Sequence, residues 1–161
     1  MTQLILALLV LGTALQSDAG TIAGTWLDEG GEAAIEIAAC DAGICGEIVW
    51  LREPFVEGDK PKLDIHNADA ALRDRPIIGL RLLQGFRSDG EGRWSGGRIY
   101  DPNNGKSYRC KLELEDGGKV LRIRGYVLTP LLGRTTRWVR TELDGLPSAG
   151  APRHPSLSSP R

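Results

Sequence analysis

Lysine, histidine, cysteine and methionine are all scarce in this chain, and neither sign of charge dominates. Among 161 residues there are 2 His, 3 Cys and 1 Met, and 20 basic residues stand against 21 acidic ones for a formal charge of −1. A surface that neutralises a nucleic-acid backbone carries a basic surplus, so no nucleic-acid partner is expected. Of the basic residues 15 are Arg and only 5 Lys, an imbalance that by itself assigns no anion-binding role. So few His and Cys leave little from which to build a metal centre, and neither a metal nor another cofactor is expected. A phosphate-cradling loop, a Gly-x-Ser-x-Gly elbow and a His-Glu-x-x-His pair are all missing, and the chain is not read as an enzyme. What is present is a core's worth of apolar residues, 41%, together with 21 Gly and 9 Pro that promise many turns. The length suits one domain.

Only one long apolar run occurs, L-I-L-A-L-L-V-L-G-T-A-L over residues 4–15. It is short for a bilayer span, and Ser17-Asp18-Ala19 after it offers a small-x-small cleavage pattern before Gly20. Residues 1–19 are therefore read as a signal peptide of a periplasmic or secreted protein. No second run follows, so no transmembrane segment is expected in the mature chain. Its balance becomes 20 − 20 = 0, because the leader removes Asp18 alone. Residues 145–161 are rich in Pro, Ser and Gly with almost nothing to bury, and are read as a disordered tail. The folded body is expected over residues 20–144.

Within that body, side chains alternate with period two. Tyr108, Cys110, Leu112 and Leu114 share one face, while Ser107, Arg109, Lys111, Glu113 and Glu115 share the other. Asp116-Gly117-Gly118 then turns the chain into a partner over 119–128. Further strands are placed at 22–27, 32–40, 45–52, 77–87, 93–100 and 135–142. Some eight consecutive antiparallel strands predict an all-β, up-and-down barrel, which removes the free edges of an open meander; a sandwich is the alternative. The connection over 53–76 is too long for a hairpin and suits a lid. Within this loop, after the third strand, Asn67 is placed to cap one short helix over 68–73.

Cys40 and Cys45 flank Asp41-Ala42-Gly43-Ile44 and fall on the same face of a hairpin, within disulfide reach. An oxidising compartment lets the bond persist. Cys110, on the apolar face, is read as an inert core residue. The long loop carries Asp64, His66, Asn67, Arg73 and Arg75. Two readings stand for this cluster: a polar rim in which Asp64, Asn67 and Arg75 hold a ligand, or local capping and carbonyl bonding. An enzyme reading would need Asp64, His66 and Arg75 to converge. Trp50, Trp94 and Tyr108 either line a pocket or fill the core. Tyr100-Asp101-Pro102-Asn103-Asn104-Gly105 lacks the alternating acids of a calcium loop and is read as a turn.

Gly24-Thr25-Trp26 on the first strand, with Trp138-Val139-Arg140 on the last, resembles the lipocalin and calycin pattern. That likeness implies a structural plug in which Arg140 stacks on the Trp26 indole at the closed end. A longer ordered set includes Cys45-Gly46-Glu47-Ile48-Val49-Trp50-Leu51, Asp64-x-x-Asn67, Arg75-Pro76-Ile77-Ile78-Gly79-Leu80 and Trp94-Ser95-Gly96-Gly97-Arg98-Ile99-Tyr100-Asp101-Pro102. With Gly105-Lys106-Ser107-Tyr108, Arg124-Gly125-Tyr126 and Gly133-Arg134-x-x-x-Trp138-x-Arg140, it resembles the bacterial family known as domain of unknown function 2147. Ala68 departs from the Pro common after the Asn, and the Pro-rich tail belongs to this chain alone. The resemblance implies a small exported calycin-type barrel and no particular activity. The expected role is a monomeric binding protein for a small-molecule or lipid-like, partly apolar ligand; the alternatives are an envelope interaction module and a hydrolase.

Overall fold

The computed structural model describes residues 21–41, 43–127, 129, 131 and 133–149. The leader and residues 150–161 of the tail lie outside the described residues. Alternating segments become nine strands, β1 (Gly24–Leu27), β2 (Ala33–Cys40), β3 (Gly43–Leu51), β4 (Arg81–Gly90), β5 (Arg93–Ser95), β6 (Arg98–Asp101), β7 (Lys106–Glu115), β8 (Val120–Tyr126) and β9 (Arg134–Thr141). All pairings are antiparallel between neighbours, and β1 also pairs with β9 while β3 pairs with β4. The single strand expected over 93–100 is interrupted at Gly96-Gly97, so β5 and β6 together fill one slot between β4 and β7. The result is a closed barrel of eight strand positions, which leaves no free sheet edge.

Two halves of the barrel differ. One end carries the turns after β2, β4 and β7, and its interior is packed solid by Trp26, Phe86, Trp94, Leu112 and Leu121, none more than 7% exposed. Trp26 pairs with Arg140 across β1 and β9, and the guanidinium lies over the indole at 4.2 Å from its centroid. Arg140 also donates to the carbonyls of Gly118, Ala23 and Thr21 at 2.8, 2.8 and 2.7 Å, and the indole N–H donates to the Ile22 carbonyl at 2.9 Å. Gly24 makes this approach possible: its φ is +126°, and a Cβ there would stand 2.7 Å from an Arg140 nitrogen.

The Cys40–Cys45 disulfide is formed at the same end, with the Cα atoms 5.9 Å apart. The hairpin is tighter than the four-residue loop read from the sequence. Cys40 pairs with Gly43, so the bridge runs diagonally to the next residue on that face. The expected short helix shrinks to one 3₁₀ turn at Ala70–Leu72. Its cap is Asp69, not Asn67, with the Asp69 carboxylate accepting from the Ala71 N–H at 3.0 Å.

Candidate ligand-binding site

The opposite end gathers the connections after β1, β3, β6 and β8, and there the barrel opens into a cavity of about 1490 Å³. Its floor is Ile35, Ile48, Ile123 and Trp138, each at most 4% exposed. Leu51, Ile99, Tyr100 and Tyr108 form the half-buried wall above. The rim is polar and of mixed charge, with Asp28, Glu29, Lys60, Lys62, His66 and Arg134. Apolar walls with a few polar groups at the lip form the usual surroundings of a small organic ligand. One wall residue offers a fixed polar handle. The Tyr108 hydroxyl accepts an N–H from Asn104 at 3.1 Å, which leaves its own proton to donate.

Asn104 belongs to a turn organised around Asp101. That carboxylate accepts from the Asn103 N–H at 3.0 Å and the Asn104 amide at 2.7 Å, and the Asp101 carbonyl accepts from the Gly105 N–H at 2.8 Å. Gly105 has φ +69°, and a Cβ on it would stand 1.8 Å from the His66 carbonyl oxygen. The 102–105 turn therefore sits directly against the long loop.

That loop is clasped to the barrel by Asp64, whose side chain is wholly enclosed. One carboxylate oxygen accepts from the Tyr100 hydroxyl at 2.6 Å. The other accepts from the Asn67 amide at 2.8 Å and from Arg75 Nε and Nη2 at 2.9 and 2.8 Å. Burial alone would lift the Asp64 pKa, but the bonds from Tyr100, Asn67 and Arg75 and the Arg75 charge outweigh it and hold it below 3.8. Burial, followed by the bond to the Asp64 carboxylate and its charge, pushes the Tyr100 phenol above 10.0. Asn67 is fully used as well, its amide reaching the Tyr100 hydroxyl at 3.1 Å and its carbonyl oxygen accepting from the Asp69 N–H at 2.9 Å.

The residues singled out from the sequence thus separate into distinct places. Asp64, Asn67 and Arg75 come together, but in a clasp behind the cavity wall instead of on its lining. His66 is exposed on the rim and bonds to neither Asp64 nor Arg75, so the three groups of the enzyme reading do not converge. Arg73 donates to the Asn67 carbonyl at 2.8 Å. Tyr108 lines the cavity, whereas Trp94 belongs to the packed half.

Trp50 is also off the lining, for a definable reason. Ala34 pairs with Trp50 but Ile35 pairs with Ile48, so Val49 is an extra residue in β3. This bulge reverses the alternation, turning Leu51 to the cavity and leaving Trp50 beside Arg52, 5.9 Å from the ring centroid. Cys110 is the free cysteine of the described residues; burial raises its thiol to about 12, which keeps it protonated and unreactive. Sequence reasoning missed the role of Tyr100, which borders the cavity while its hydroxyl secures Asp64. The adjoining Asp101-Pro102 turn signal pointed to that segment without revealing its partner.

A closed antiparallel barrel, plugged by an indole under a guanidinium and open as a cup at the other end, defines a lipocalin-like fold. The solved structure of protein HP1028 from the human pathogen Helicobacter pylori, described as belonging to the lipocalin family, superposes with a TM-score of 0.66 at 21% identity, covering 78% of this chain and 86% of that one. The chain belongs to the family described as "Uncharacterized protein conserved in bacteria (DUF2147)", whose model matches residues 24–140. No curated protein matches it in sequence.

Proposed function

We propose that the protein is an exported, non-enzymatic binding protein that carries a small, partly apolar molecule in the open half of its barrel. The observation that carries this reading is the cup itself: Ile35, Ile48, Ile123 and Trp138 as an apolar floor, with the Tyr108 hydroxyl as a polar handle on the wall. Such a floor gains from apolar contact at roughly 25 cal/mol per Å² removed from water. The acid that loop chemistry would need, Asp64, is enclosed and fully bonded, which favours carriage over catalysis. Export is supported by the Cys40–Cys45 bridge, and among the described residues no helix is long and apolar enough to cross a membrane.

The test has two arms. Native mass spectrometry of the protein purified without denaturation should show a co-purifying small molecule. A neutral apolar dye such as N-phenyl-1-naphthylamine should bind saturably, with affinity reduced about tenfold by the wall-filling change Leu51→Trp. Absence of both a co-purifying species and saturable dye uptake would refute the reading.

A further inference from the structure

Large apolar side chains exposed on the surface collect at the mouth. Among the described residues nine are well exposed, and seven of these lie in two mouth connections, Phe55, Val56, Ile65, Leu72 and Ile78 in one and Val127 and Leu131 in the other. The second pair is the barest: Val127 is 69% exposed and Leu131 89%. They form an apolar tip after β8, and Val127 also lines the cavity.

The outer wall beneath that tip is basic. Arg98 on β6 stands opposite Arg109 on β7, and Lys111 stands opposite Arg124 on β8. Like charges directly across a sheet oppose its formation. The other cross-strand neighbours of Arg98 and Arg109 are Gln84 and Tyr126, neither of them acidic, and among the described residues no carboxylate bridges Arg98, Arg109 or Lys111. The acids further along β7 are already engaged, Glu113 with Arg122 and Glu115 with Arg122 and Arg137. Among the described residues, the ion pairs of β7 therefore lie near the plug, at Glu113 and Glu115, and Arg109 and Lys111 toward the mouth have none. Arg124 joins the two features, donating to the Thr135 hydroxyl at 2.9 Å and to the Leu131 carbonyl at 3.3 Å. The acids of the turn after β1 keep their charge but lie on the β1–β9 side of the barrel, where Asp28 accepts from the Glu32 and Ala33 N–H groups and Glu29 from the Thr136 hydroxyl.

We propose that this corner docks on an anionic lipid bilayer, with Val127 and Leu131 entering the headgroup boundary and Arg98, Arg109 and Lys111 meeting the phosphates. Interfacial binding needs both an apolar anchor and cations, since either alone is marginal. An acidic macromolecule would use the wall and leave the tip in water; a bilayer uses both. Docked in this way the mouth lies beside the membrane, although the inference stands whatever the cup carries.

Co-sedimentation of the full chain with vesicles tests it. Vesicles of phosphatidylglycerol and phosphatidylcholine should bind the protein, vesicles of phosphatidylcholine alone should not, and added salt should weaken the binding. R98Q/R109Q/K111Q and, separately, L131D, at a tip residue off the cavity lining, should each lower partitioning by at least about tenfold, with far-UV spectrum and dye uptake unchanged and the thermal midpoint not lowered. Dye uptake reports the cup by itself, so a failed cup and a failed dock are distinguishable. No binding to anionic vesicles at low salt, or binding indifferent to both variants, overturns the proposal. Capture by polyglutamate without capture by vesicles would also overturn it, in favour of an acidic macromolecular partner.

Discussion

Asp64 receives four hydrogen bonds from three side chains, and among the described residues its ion-pair partner is Arg75. Its lowered pKa means that its contribution to stability is complete above 3.8 and is lost as pH falls through the folded-state value. Tyr100 acts in the other direction: its raised pKa favours the neutral phenol in the folded state, so stability is lost as pH rises above 10.0. A thermal-melting series should therefore be insensitive to this pair between about pH 5 and 9 and should fall on both sides. Asp64→Asn keeps the shape but removes the charge, and should cost about 2–3 kcal/mol at pH 7 in urea unfolding while blunting the acid limb. At the plug, Arg140→Ala strips the indole of its cation and three carbonyls of their donor, which predicts a loss of about 2–4 kcal/mol by the same measurement. Arg140→Lys should restore only part of it, because a lysine cannot spread donors to three carbonyls.

At the level of elements, the long connection after β3 is fixed by two anchors, the Asp64 clasp and the 102–105 turn. Gly105→Ala tests the second. A methyl group would collide with the His66 carbonyl at a backbone angle that disfavours side chains, so a loss of at least about 2 kcal/mol is expected. If the turn yields instead, the loop moves, and dye affinity in the cup should weaken more than stability falls. The Cys40–Cys45 bridge is the opposite case. It closes only a short loop, at the end remote from the cavity, so Cys40→Ser with Cys45→Ser should cost about 2 kcal/mol in urea unfolding and leave dye binding intact.

The whole molecule divides its labour along the barrel axis. One half is packed with aromatic and branched side chains under the Trp26–Arg140 plug. The other half is held open by its loops and ends in a rim where apolar tips and cations are both exposed. A ligand in the cup adds stability by mass action, about 2.7 kcal/mol at a hundredfold excess over Kd. A rise in thermal midpoint with a candidate ligand is thus the screen that suits this architecture.

Much of this was legible in the chain because strand formation is a local property with a short period. The face of Cys110 and Leu112, the turn at Asp116-Gly117-Gly118 and the same-face placement of Cys40 and Cys45 all follow from counting residues. The indole–guanidinium pair was legible only through the Gly24-x-Trp26 and Arg140 pattern, because the two residues are far apart in the chain. The position of Trp50 was not, since one extra residue at Val49 reverses every side chain beyond it and leaves no mark in the alternation. Nor was the partner of Asp64, since the Tyr100 hydroxyl that holds it lies 36 residues further on. Local periodicity determined that this sequence makes paired strands enough to close. Only the closure in three dimensions decided which half fills, which half stays hollow, and which charges remain unpaired. Those outcomes depend on side chains from distant strands competing for one enclosed volume and one surface.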